Sequence, residues 1–233
     1  MTERPARPQS ACVNVLTPVS ALSADAHRAD PHRASAHEPS PKRLQMLDAA
    51  ATLFVAHGYG PVSMDAVARA AGVSKATLYS HFASKDALLA TIIGEACRRN
   101  TGAGDSFPTN VEDIGVALRM IGGRVLRFLL EESTLAIYRV VVSESARFPE
   151  LGRTFMANGP QVFCDRFAAW VAEQNQAGRL TAPDPRLAAH QFMSLLKSAL
   201  FMRASLAITP PASEAEIDAT VEAAVRTFLA AFG

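Results

Sequence analysis

Apolar residues recur at helical spacing along most of the chain, and no stretch shows the strict alternation of a half-buried strand. Lys42 to Ala56 carries Leu44, Leu47, Ala51 and Phe54 on one stripe, with Pro41 before it and Gly58 to close it. Pro61 bars a helix until Ser63 can cap the next, and Met64 to Ala71 then places Val67, Ala68 and Ala71 on one face. Gly72 suits the left-handed stop of that helix, because it has no Cβ to clash. Ser74 reads as the following N-cap, accepting from a backbone N–H near Ala76 or Thr77, and Leu78 and Phe82 give its helix an apolar side. Ser84 caps a fourth helix with Leu88, Leu89, Ile92 and Ile93 on one face and Arg98-Arg99 at its negative end.

Thr101 to Asn110 holds two Gly, a Pro and small polar residues, so the chain breaks there. Beyond it the period stays helical. Val111 to Leu130 and Thr134 to Ser145 are the first two segments. Pro149 stands at the first position of a third that runs to Ala177, and Gly159-Pro160 must kink or split it. Gly178 ends that segment, Pro183 and Pro185 open Arg186 to Ala207, and Ser213 caps a last helix through Ala231. The expected fold is all-α: a three-helix head with a connector helix, then an antiparallel bundle of about five helices. The expected units are a disordered tail over 1–41, a head over 42–100 and a body over 101–233. The tail mixes Ala, Pro, Ser, His and Arg without a period and carries four Arg against four acids.

Two short helices joined by a tight Gly-containing turn form a helix-turn-helix, whose second helix enters the major groove of DNA. Its first turn offers Ser74, Lys75, Ala76 and Thr77, types suited to base edges, a thymine methyl and phosphates. The surrounding blocks run Ala49-Ala50-Ala51-Thr52-Leu53-Phe54 to Gly58-Tyr59, then Ser63-Met64-Asp65-Ala66-Val67-Ala68 to Ser74, then Thr77-Leu78-Tyr79-Ser80-His81-Phe82 to Lys85. In this order and spacing they resemble the DNA-binding domain of the TetR family of transcriptional repressors. More loosely, Arg139 to Leu151, Asn158-Gly159-Pro160 and Gly178-Arg179-Leu180 resemble the AefR-like C-terminal domain of one TetR branch. The resemblance implies a cytoplasmic homodimer that binds double-stranded operator DNA and is released by a small effector held in the body. It places Ser63, Ser74, Lys75, Ala76, Thr77, Tyr79, His81 and Lys85 at the DNA. Thr77, Tyr79 and Lys85 are expected to hold phosphates and Lys75 to read a base edge.

Charge sharpens this division. The 233-residue chain has a formal net charge of +1, but residues 42–100 hold seven Lys/Arg against four acids and residues 101–233 hold twelve against fourteen. A basic head on an acidic body points to nucleic acid at one end. No run approaches the roughly eighteen apolar residues of a membrane span, so a soluble protein without a membrane partner is expected. Enzyme chemistry finds little support. The six His offer no helical metal pair, the three Cys are scattered without a C-x-x-C, and neither a phosphate loop nor a nucleophile elbow is present. No metal or cofactor is therefore expected. Cys164 reads as an inert buried thiol and His190 as a structural histidine on an apolar face.

Six aromatics of the body, Phe128, Tyr138, Phe155, Phe163, Phe167 and Phe192, are candidates to line an apolar pocket between helices. The last helix puts Ile217, Val221, Ala224, Val225, Phe228 and Phe232 on one side, an apolar stripe expected to pair with its copy in a second subunit. A helical ligand carrier or interaction module without DNA reading is the alternative that Lys75, Thr77, Tyr79 and Lys85 argue against.

Overall fold

Capping chemistry sets the helix boundaries in the computed structural model, which describes residues 40–100, 107–108 and 112–233, and of residues 97–100 only the backbone. The head comprises α1 (Pro41–His57), α2 (Met64–Ala70), α3 (Lys75–His81) and α4 (Lys85–Asn100). Ser40 caps α1 in front of Pro41, and the Ser63 and Ser74 hydroxyls accept from Ala66 and Thr77 N–H. Ser84 Oγ accepts from Ala87 N–H at 3.1 Å. Gly72 takes the left-handed conformation its position called for, with φ of 59°, and Gly58 closes α1 with a positive φ of 80°. The buried face of α1 is Met46, Leu47, Ala50 and Phe54, while Leu44 and Ala51 are half-buried, so this helix is rotated slightly from the expected stripe.

The body comprises α5 (Ile114–Leu130), α6 (Glu132–Glu144), α7 (Pro149–Asn158), α8 (Pro160–Gln176), α9 (Pro185–Ser205) and α10 (Glu214–Phe232). It has six helices rather than about five, because Gly159-Pro160 divides the long third segment into α7 and α8. Inside α9, Ser198 leaves helical geometry with φ 2° and ψ −157°, a break no Gly or Pro announces. Among the described residues no strand occurs. The expectations for the tail, and for His27, His32, His37 and Cys12 within it, lie outside the described residues, as do the side chains of Cys97, Arg98 and Arg99.

Two cores organise the packing. The body core gathers Leu118, Phe167, Phe192, Leu196, Val221 and Phe228 from α5, α8, α9 and α10. This corrects the subunit-pairing reading of the last helix: Ile217, Val221, Ala224, Val225 and Phe228 are all at most 5% exposed, already covered by α5 and α9 of the same chain. The second core holds Phe54, Val67, Leu78, Leu88 and Leu89 of the head together with Val140 and Val141 of α6 and Leu151 of α7. Head and body therefore share apolar packing, and α6 and α7 form the joint.

Candidate nucleic-acid interface

The turn between α2 and α3 is built by backbone bonds that leave few residues free to move. Val73 N–H donates to Ala68 O at 3.0 Å and Gly72 N–H to Arg69 O at 3.1 Å, closing the end of α2. Ala68 and Ala71, at 4% and 1% exposure, let the helices approach closely, and fully buried Leu78 anchors α3 beneath. With Leu78 inward, Ser74, Lys75, Ala76, Tyr79, Ser80 and His81 are exposed and Thr77 is half-buried. Ser63 is exposed at the start of α2.

Polar contacts hold this face in order. Ser74 Oγ and Thr77 Oγ1 lie 2.8 Å apart. Lys75 Nζ is 2.9 Å from Asp65 across the turn and 5.9 Å from the centre of the Tyr79 ring. Hydrogen bonding to Asp65 raises the Lys75 pKa, so the side chain is firmly cationic. Both partners are more than half exposed, and such a pair exchanges readily for another anion. Asp65 is a neighbour the sequence reading missed, because the pairing is made only once the turn brings two helices together.

Lys85 is placed differently from expectation. Its ammonium donates to the carbonyls of Tyr59, Gly60 and Val62 at 2.7, 3.1 and 3.0 Å, which uses all three of its protons. The same ammonium stands 4.2 Å from the centre of the Tyr59 ring, and burial lowers its pKa. Lys85 thus clamps the α1–α2 loop and has no free proton for a phosphate. The Tyr59 hydroxyl donates to Asp86, and burial with that carboxylate raises its pKa above the ordinary tyrosine range. Phe148, just before α7, meets the Tyr59 ring edge-on at 5.8 Å. A Cβ on Gly60 would come within 3.0 Å of that Phe148 ring, and one on Gly58 within 2.6 Å of the Glu144 carboxylate. Gly58, at φ +80°, is the position that requires glycine, and the loop packs closely on the α6–α7 corner at both.

The six aromatics do not face one space. Phe163, Phe167, Phe192 and Trp170 stack in the body core, at centroid distances of 5.0–5.7 Å for the stacked pairs, and Phe228 meets Phe192 edge-on. Tyr138 and Phe155 form a separate group with Phe201, and Phe128 is half-buried near the end of α5. The expectation of a single lining from all six is corrected accordingly. Cys164 is buried, with Sγ 3.6 Å from His190 Nδ1, and burial raises its thiol pKa. His190 is exposed on α9, not turned into the apolar face. Among the described residues no group of three His, Cys, Asp or Glu could hold a metal.

Comparison with known proteins fixes the relationship. Residues 116–233 match the AefR-like transcriptional repressor C-terminal domain, just over half the chain, and residues 46–92 match the tetR family of bacterial regulatory proteins. The chain belongs to the TetR family. It is 36% identical to the flavonoid-responsive regulator FrrA, with a TM-score of 0.70 over 82% of this chain and 96% of that one. A TetR transcriptional regulator from Agrobacterium tumefaciens is 25% identical, with a TM-score of 0.67 over 83% and 95% of the two chains. Among curated relatives, UidR of Escherichia coli K12 is 41% identical over 56 residues, 24% of this chain and 29% of its own. The activator FasR of Mycolicibacterium smegmatis is 52% identical over 44 residues, 19% and 20% of the two chains. The chain thus matches under a third of the length of these curated relatives. As a TetR regulator it is a DNA-binding transcription factor with a helix-turn-helix and not an enzyme.

Proposed function

We propose that this regulator is a cytoplasmic homodimeric repressor that grips a near-palindromic operator through α2 and α3 and lets go when its body takes up a small apolar effector. The observation that carries the reading is the pairing of an exposed, ordered α3 face with a core shared between head and body. Lys75 reads a base edge after leaving Asp65. Ser63, Thr77 and Tyr79 hold the backbone, with Ser74, Ala76 and His81 beside them. Residues 42–100 act as the reading head and 101–233 as the responding body, with α6 and α7 bridging the two. FrrA is named for its response to flavonoids, which supports a small effector here. The description of the matched C-terminal domain, over just over half the chain, supports repression, whereas the activator FasR matches over 44 residues only.

Dimerisation is assigned to the outer faces of α9 and α10, the latter turned around from the face the sequence suggested. Leu187 and Met202 are 52% and 64% exposed along α9, and α10 presents Ala215, Ala219 and Ala223 outward, small enough for close approach of a second copy. Two recognition helices would then meet successive major grooves about 34–36 Å apart.

A thermal-shift screen of apolar compounds, followed by release of the bound upstream duplex, tests the regulatory part. Linkage demands reciprocity: an effector that weakens operator binding 5–150-fold, roughly 1–3 kcal/mol, must itself bind the operator complex more weakly by the same factor. Equal calorimetric affinities for free and DNA-bound protein would contradict it.

A further inference from the structure

We propose that the junction of α6, α7, α8 and α9 is an effector site for a flat apolar anion, the Lys197 ammonium taking the charge and Tyr138, Phe155 and Phe201 taking the body of the ligand. The inference rests on the reading of the protein as ligand-responsive and names the chemistry of that ligand.

Lys197 is a half-buried cation of the body. Arg119, Arg127, Arg186 and Arg203 each hold a carboxylate on a neighbouring helix, and Arg139 holds Glu132 on its own helix. Lys197 has neither an ion pair nor a hydrogen bond among the described residues. Its Nζ lies 5.4 Å from the centre of the Phe201 ring, and desolvation lowers its pKa. The Cys164 thiol nearby is held protonated by burial and supplies no counter-charge. A cation drawn partly out of water without a partner is unfavourable, and an anion delivered to it regains that free energy.

Beside this charge lies an aromatic group of which Phe155 also packs against the core shared by head and body. Tyr138 of α6 meets Phe201 of α9 edge-on at 5.0 Å and Phe155 of α7 at 6.1 Å. Tyr138 and Phe155 remain half-buried, and Tyr138 and Phe201 belong to neither of the two clusters of buried residues. Exposed Met156 and Val162 add apolar surface on α7 and α8. Two chain interruptions border the group: Gly159-Pro160 separates α7 from α8, and Ser198 breaks α9 next to Lys197. Helices interrupted at these points can part without dismantling the stacked core around Phe167. A ligand that separates Tyr138 from Phe155 displaces α7, whose Leu151 sits in the core shared with the head. The site is therefore placed to move what the operator needs held still.

Two fluorescent probes of one shape test it: 1-anilinonaphthalene-8-sulfonate, which is anionic, and neutral N-phenyl-1-naphthylamine. Each is titrated into the full-length dimer, its Lys197→Met and Lys197→Arg variants, with thermal melts to verify folding. The expected result is saturable sulfonate binding that weakens about tenfold or more in Lys197→Met and recovers in Lys197→Arg, while the neutral probe binds all three alike. Sulfonate binding unchanged in a folded Lys197→Met overturns the proposal. If the neutral probe still binds and releases operator in that case, ligand response survives without the anion site. Failure of both probes to bind the unmodified protein counts against both. Unchanged sulfonate binding with loss of the dimer would reassign Lys197 to the subunit contact.

Discussion

Lys75 and Asp65 meet across the turn, and DNA must replace that carboxylate with a base edge or phosphate. Asp65→Asn should strengthen binding to random-sequence duplex and steepen its salt dependence by about one charge, measured by fluorescence anisotropy at several salt concentrations. Lys75→Ala should cost about 1–3 kcal/mol on the operator, and equal loss on random duplex would contradict base reading. Lys85→Met should behave otherwise. It removes a clamp on three carbonyls, so it should lower head stability by about 1–3 kcal/mol and leave the salt slope of the folded protein unchanged. The serine caps were legible in sequence because a cap bonds within three residues of itself. Lys85 was not, since the end of a four-carbon side chain goes wherever a distant loop places its acceptors.

Helices and their ends followed closely from Gly, Pro and Ser, whose effects are local. What covers a helix face did not. The stripe on α10 has the period of any half-buried helix, and only the position of α5 and α9 reveals that its own chain covers it. Val221→Glu with Phe228→Glu should therefore unfold the body, not merely separate subunits. Leu187→Glu with Met202→Glu should give a folded monomer by sedimentation, with a melting temperature close to the monomer's own limit; an unchanged dimer would place the contact elsewhere. The start of α10 has its own signature. Ser213 and Arg203 hold the Glu216 carboxyl down to about 2 against an ordinary 4.5. Because its folded value is depressed, the stability it contributes is present above about pH 4.5 and is lost as pH falls toward 2. Glu216→Gln should be less stable than the unmodified protein at pH 7, with the gap closing on acidification in thermal melts.

At the scale of the whole molecule, the head does not hang free on a connector. Val140, Val141 and Leu151 enter its core, and Phe148 rests on Tyr59, so displacement of α6 or α7 reaches the loop that carries α2. The sequence pattern offered α4 as the connector; the structure adds α6 and α7 to the joint, which sequence could not reveal because the corner forms between residues some ninety positions apart. The central claim is sequence-specific reading of DNA. It is tested most directly by anisotropy titration of the full chain against a duplex from its own upstream region and a shuffled duplex of equal length and composition, at physiological salt. The account predicts saturable binding to the upstream duplex at least about a thousandfold tighter than to the shuffled one. Equal affinity for the two would contradict it.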